Sequence, residues 1–204
     1  MILKDDLLLG AVSDKLLMKC CSFCFQPQTD PRWSMSRCSS CKTIYYCSEK
    51  CQRNDWNQHR EECQLIKALA PDPAFTITRL ALRALIFMRS NASARTFMNE
   101  LESNYEKYSM KMKEGFGAQA TVIRMSLPHL FSNESEVFEL IKLSCQLKCC
   151  CIAILGSEFE DVGGGLFSAV SFINHSCRPN CVLTGQGRSM RLIALDDINP
   201  GEEV

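Results

Sequence analysis

Seven cysteines and one histidine between positions 21 and 63 carry the densest chemistry in the chain. They fall in four close pairs: Cys21-x2-Cys24, Cys38-x2-Cys41, Cys47-x3-Cys51 and His59-x3-Cys63. Two thiolates separated by two residues converge on one ion when the backbone turns back on itself, so each pair is half of a tetrahedral site and the four make two. Such sites take Zn2+. With four protein ligands on each ion, no position is left for water or substrate, and the two ions are structural. Spacing alone leaves the pairing open. Consecutive pairing puts Cys21, Cys24, Cys38 and Cys41 on one ion, whereas interleaved pairing joins Cys21 and Cys24 to Cys47 and Cys51. Cys20 adjoins Cys21 and is spare.

A second concentration of polar groups lies near the end. Gly163-Gly164-Gly165 leads through Leu166 to Ile173 into Asn174-His175-Ser176-Cys177-Arg178-Pro179-Asn180-Cys181. The glycines permit close backbone approach, and Asn-His-Ser-Cys ahead of Arg-Pro reads as a turn. Neither GxxxxGK[ST] nor GxGxxG is present, so phosphate binding is not indicated.

The elements that must position these groups are mostly helical. Ser48 as N-cap, with Glu49 in the first turn, starts a helix through Cys51 and Trp56 to Cys63, which puts His59 and Cys63 on one face. Gln64 to Leu69 extends it until Pro71 and Pro73 stop it. Thr76 to Arg89 is an amphipathic helix with Ile77, Leu80, Ala81, Ala84, Leu85 and Met88 on its apolar face. Asn99 to Lys113 is a more polar helix ending near Gly115 and Gly117, and Glu134 to Lys148 another, with Val137, Phe138, Ile141 and Cys145 inward. Cys149-Cys150-Cys151 with Ile152-Ala153-Ile154 reads as a buried strand. Leu192 to Leu195 reads as a strand, followed by a turn at Asp196 to Glu203. Residues 1–19 supply one strand and an extended lead. His129 has no partner in the sequence. The expected class is α+β.

Composition sets the outer bounds. A chain of 204 residues with 46% apolar and 23% charged residues has enough of both for a folded core plus a small accessory module. Zero formal charge gives the molecule no general pull toward nucleic acid or acidic membrane. Between Cys21 and Cys63 six basic residues face five acidic ones, and two Zn2+ held by seven thiolates bring that module to about −2. Peptide binding suits it better than phosphate binding. No run approaches the roughly 18 apolar residues of a membrane span, and Asp5, Asp6 and Asp14 break the apolar start, so neither a span nor a signal peptide is expected. Fourteen cysteines without an export signal imply a reducing compartment, the cytoplasm and nucleus, with thiols as metal ligands or core rather than disulfides.

Tyr45-Tyr46-Cys47-Ser48 ahead of Cys51, closed by Trp56-x2-His59-x3-Cys63, strongly resembles a MYND zinc finger. That resemblance implies interleaving: Cys21, Cys24, Cys47 and Cys51 on the first ion, and Cys38, Cys41, His59 and Cys63 on the second. Asn174 to Cys181 resembles the signature of SET-domain protein lysine methyltransferases, with Gly163 to Phe167 and Arg191 to Val204 in support. A finger, a helical stretch and this signature together are similar to the SMYD family.

The resemblance implies four parts: residues 1–20 as a lead and SET remnant, 21–63 as the finger, 64–145 as a helical insert, and 146–204 as an incomplete SET core. It implies S-adenosylmethionine as cofactor, met by Asn174 and His175, a protein lysine substrate such as a histone tail, and proline-containing peptides at the finger. No catalytic residue is assigned, because the family's tyrosine follows the Gly201-Glu202-Glu203 turn and the sequence ends at Val204. The family's Gly-x-Gly strand is not found in residues 1–19. Alignment on Ala153-Ile154 puts Cys150 where relatives hold the cofactor with an asparagine. Cys177, a ligand of a third zinc in relatives, is expected to be a free thiol. These departures imply a rival reading: a catalytically inactive adaptor that works through its finger.

Overall fold

A five-stranded antiparallel sheet forms the centre of the computed structural model, which describes residues 1–29, 34–69, 76–90 and 92–204. The strands are β1 (Leu3–Val12), β2 (Ser36–Arg37), β3 (Tyr45–Tyr46), β4 (Ile152–Leu155), β5 (Asp161–Phe167), β6 (Cys181–Gln186) and β7 (Ser189–Ala194). β2 and β3 make a separate two-stranded ladder inside the finger, while the main sheet runs β4-β5-β1-β7-β6. The first strand is therefore the middle one. Its early half pairs with β7 (Leu3 opposite Leu192) and its late half with β5 (Val12 opposite Gly163).

A bulge between Leu7 and Leu9 changes which residues of β1 face which side. Ahead of it, Leu7 packs on the finger side with Phe25, Ile44, Tyr46, Ile154 and Phe167. Beyond it, Leu9 and Ala11 pack under the helices, and Val12 returns to the finger side. One strand thus serves two cores. The glycine run is explained by the same strand: a Cβ at Gly163 would overlap the Ala11 carbonyl, and one at Gly165 would lie 2.6 Å from Leu9 O. These glycines let β5 lie close against β1.

The helices are α1 (Glu49–Ala68), α2 (Thr76–Ser90), α3 (Ala92–Glu100), α4 (Met110–Ser126) and α5 (Ser135–Cys150). α2 is the inner one: Leu80, Ala81, Leu82, Ala84 and Leu85 are all buried, sharing a core with Ala120 and Ile123 of α4 and Leu140, Leu143 and Leu147 of α5. The α+β class expected from the sequence is what forms.

Three local expectations need correction. No helix spans Asn99 to Lys113: α3 ends at Glu100, Asn104 takes a left-handed conformation (φ 48°), and α4 starts after Ser109, whose hydroxyl accepts from Met112 N. Gly115 and Gly117 do not end a helix but lie within α4, where Phe116, Ala120 and Ile123 bury enough surface to outweigh two glycines. Cys149 and Cys150 close α5 rather than opening a strand, since the backbone turns extended only at Cys151. Pro71 and Pro73 lie outside the described residues. His129, given no role by its sequence, sits with Nε2 2.9 Å from Glu61 Oε2 and links a short 3-10 turn (Pro128–Leu130) to α1.

Candidate functional site

The eight ligand-type residues gather into two groups, and the grouping is the interleaved one. Cys21, Cys24, Cys47 and Cys51 have their sulfurs within 4.8 Å of one another, as do the donor atoms of Cys38, Cys41, His59 and Cys63. In the first group the Sγ atoms of Cys24 and Cys47 are 3.6 Å apart and those of Cys47 and Cys51 3.4 Å; in the second, Cys38 and Cys63 are 3.9 Å apart and Cys41 lies 3.8 Å from His59 Nε2. Thiolates at the corners of a tetrahedron around Zn2+, each about 2.3 Å from the ion, are about 3.8 Å from each other. Both groups fit Zn2+. Cys20 is fully buried beside them and belongs to neither.

The knuckles that hold the Cys-x2-Cys pairs are built alike. Phe25 N donates to Cys21 O (2.9 Å) and Lys42 N to Cys38 O (3.0 Å), and the residue after each second cysteine turns left-handed, Phe25 at φ 62° and Lys42 at φ 58°. This turn aims backbone N–H groups at the sulfurs. The Cys24 thiol, then burial acting the other way, then the N–H groups of Cys24, Cys47 and Phe23 set the Cys21 pKa, lowered to about 5. At Cys41 burial opposes the thiolate, but His59 and the N–H groups of Thr43 and Ile44 overcome it and bring the pKa to about 6. Ser48 caps α1 by accepting from Cys51 N (3.2 Å), so the helix starts where its first cysteine is needed.

Behind His59 is a cluster that the sequence reading did not single out. His59 Nδ1 is 3.0 Å from Glu62 Oε2, which leaves Nε2 facing Cys41 and the metal position. Glu62 also accepts from Arg79 Nε (2.8 Å), Arg83 Nε (3.1 Å) and Arg83 Nη2 (2.6 Å). Arg83 reaches on to both oxygens of Asp55 (3.0 and 3.1 Å), and Tyr46 OH donates to Asp55 Oδ2 (2.8 Å). Two further bonds tie α2 to the sheet: Arg79 Nη1 to Val12 O (2.8 Å) and Arg83 Nη1 to Gly10 O (3.0 Å), both carbonyls of β1.

Two cations and two anions balance within this buried cluster. Burial works against the Glu62 charge, and Arg79 and Arg83 more than offset it, holding its pKa well below the usual carboxylate range. Asp55, His59 and Glu62 lie close enough together to suggest a third metal site, but their carboxylates already face two guanidinium groups that would repel a cation. The sequence carries a weak signal: Arg79 and Arg83 are four apart on a face of α2 flanked by Leu82 and Ile86, away from the stripe of Ile77, Leu80, Ala84 and Met88.

The other predicted residues lie at the far end of the sheet. Asn174 and His175 line a cleft of about 600 Å³ with Ser176, Arg178, Asn180 and the apolar Ile173, Leu183 and Leu192. Asn174 Nδ2 donates to Glu203 Oε1 (2.9 Å) and Asn180 Nδ2 to Glu203 O (2.8 Å), which ties Glu203 into the cleft lining. Cys177 is exposed, its sulfur 3.5 Å from His175 Nε2. Cys150 does not line this cleft; its thiol points to Glu102 O at 3.5 Å.

A two-site cysteine–histidine finger, fastened to an antiparallel sheet under a helical layer, defines an α+β protein of the MYND-finger class. The MYND finger family matches residues 21–63. Across most of its length the chain is similar to histone-lysine N-methyltransferase SMYD3 of Mus musculus, 30% identical over 177 residues, which is 83% of the chain and 41% of the relative. It is also similar to N-lysine methyltransferase SMYD2-A of Danio rerio, 30% identical over 195 residues (90% and 42%), and SMYD2 of Bos taurus, 29% identical over 194 residues (90% and 43%). The chain carries a MYND finger and is similar over most of its length to SMYD-family lysine methyltransferases. It spans about two-fifths of the length of these relatives.

Proposed function

We propose that the chain is the finger-bearing part of an S-adenosylmethionine-dependent protein lysine methyltransferase, with the cofactor held in the cleft of Asn174 and His175. The observation that carries this reading is the cleft itself. Its volume lies within the range of small-molecule sites, and it combines apolar walls with a few polar groups from one loop, as an amphiphilic nucleoside cofactor requires. When bound, that cofactor supplies an electrophilic methyl group. The chain's own part is to bind and orient: the Asn174 carboxamide and the His175 ring offer hydrogen bonds, while Ile173, Leu183 and Leu192 exclude water. The resident partner of Asn174 is Glu203, so cofactor binding exchanges one hydrogen bond for another. The two Zn2+ take no part in the chemistry, and protein substrates in the cytoplasm and nucleus complete the reading.

Calorimetry with S-adenosylmethionine on the zinc-loaded chain tests it. Binding that is lost in Asn174→Ala and in His175→Ala supports the site, and no heat with the wild-type chain sinks it.

A second reading has an observation of its own. Trp56 keeps 44% of its surface exposed on α1 although its ring meets His59 edge-on at 6.3 Å between centroids. An indole presented to solvent by a rigid, closed metal module is a contact for a proline-containing peptide, so a finger-based adaptor remains in competition. A finger that binds such peptides while the cleft takes no cofactor would favour the adaptor.

A further inference from the structure

Asp5 is an acid in the middle of the sheet with only 4% of its surface exposed and no cation paired with it among the described residues. Every one of its partners lies more than 160 positions away. Oδ1 accepts from Ser168 N (3.2 Å) and from the Ser168 hydroxyl; Oδ2 accepts from Ala169 N (2.7 Å) and Val170 N (2.9 Å). These N–H groups lead into the short 3-10 turn Val170–Phe172, whose last bonds run from Phe172 N to Ala169 O and from Ile173 N to Val170 O. The next two residues are Asn174 and His175.

A carboxylate taking three consecutive N–H groups and a hydroxyl fixes where that segment leaves the sheet. Ser171 adds a second hold, its hydroxyl accepting from Phe167 N at 2.9 Å. Beyond Ile173 the loop is exposed, and the last residues of the chain are its partners. The start of the segment that carries the two cleft residues is thus held from behind, by β1.

We propose that Asp5 is the positioning residue of the cleft: its buried carboxylate holds Ser168 to Val170 and thereby places Asn174 and His175 for the ligand. The role in ligand binding rests on the methyltransferase reading above; the hold on the loop does not.

The test compares the zinc-loaded wild-type chain with Asp5→Asn, which turns one acceptor into an NH2 group that faces N–H donors. Amide hydrogen exchange is expected to rise about ten- to hundredfold at residues 168–175, the range expected when hydrogen bonds to a charged acceptor are lost, with exchange in α1 and α2 unchanged. Affinity for S-adenosylmethionine, measured well below the unfolding temperature, is expected to fall by at least about tenfold. Should the variant fail to fold, Ser168→Ala removes one of the four bonds and is expected to loosen the same segment less. Unchanged exchange at 168–175, a rise spread evenly over the molecule, or a loosened loop with unchanged affinity would each overturn the proposal. A wild-type chain that binds no S-adenosylmethionine refutes the methyltransferase reading instead, and the exchange result still decides whether Asp5 holds the loop.

Discussion

Replacing Glu62 by Gln removes the charge that joins the finger to the rest of the molecule. The carboxylate is fully buried and takes four hydrogen bonds, three from Arg79 and Arg83 and one from His59. Gln keeps one acceptor oxygen, so part of the arginine contact survives. Its NH2 group then faces either Arg83 Nη2 and His59 Nδ1 or Arg79 Nε and Arg83 Nε, donor against donor, while Asp55, whose arginine partner is Arg83, is the one anion left for two buried guanidinium groups. Removing one partner of a buried ion pair costs about 3–5 kcal/mol, and the retained oxygen places this case near 3. The second metal position also loses the group that orients His59, a change that lowers metal affinity about 10- to 100-fold.

Urea unfolding with zinc in excess reads the first effect, and a chelator competition resolving the two ions reads the second. One ion is expected to leave earlier than in wild type and the other at the wild-type rate. Arg53→Ala is the control: its pair with Glu49 is about three-quarters exposed on both sides, and its loss is expected to cost under about 0.5 kcal/mol. A Glu62→Gln stability change no larger than the control's, with both ions leaving at wild-type rates, would refute the reasoning.

Other outcomes follow from the same structure. Metal analysis is expected to find two zinc equivalents, retained in Cys20→Ser because that thiol belongs to neither group. Leu85→Ala, fully buried at the centre of the helical core, is expected to lose about 2–5 kcal/mol in the same urea assay. Burial pushes the Asp5 pKa up, but the hydroxyl of Ser168 and the N–H groups of Val170, Ala169 and Ser168 outweigh it and leave it below the usual value. A lowered carboxylate stabilises the fold fully above its unfolded pKa of about 4 and loses that contribution as pH falls through the folded pKa. The stability gap between wild type and Asp5→Asn should therefore be constant above about pH 5 and close at more acid pH.

What the sequence disclosed, and what it did not, divides along physical lines. Metal-ligand spacing is a local constraint, so the four pairs and the α1 cap at Ser48 could be read directly, while their interleaving needed the family resemblance. Helices with a strong apolar stripe were equally plain, as in α2; α5 was read as a helix but with the wrong face, since Phe138 is 53% exposed while Leu140, Leu143 and Leu147 are buried. Elements decided by distant partners were not: residues 1–19 read as one strand and an extended lead, yet the place of Leu3–Val12 in the middle of the sheet depends on β5 and β7, more than 150 residues on. α4 passes through two glycines because α5 packs along it, a contact that no local window contains. Arg79 and Arg83 were overlooked since charges on a helix are normally assumed to be solvated, and only the fold brings Glu62 and Asp55 to them.

The paired left-handed residues of the knuckles give the two halves of the finger different freedom to drift in sequence. Both Phe25 and Lys42 occupy a backbone conformation that costs an L-residue of the order of 1 kcal/mol and costs glycine almost nothing. Phe25 buries its ring against Leu7, Ile154 and Phe167, so exchange for glycine would forfeit far more than the strain it relieves. Lys42 is exposed and recoups nothing comparable. Position 42 is therefore the one of the pair where glycine or asparagine is an improvement, a tolerant site beside an intolerant twin.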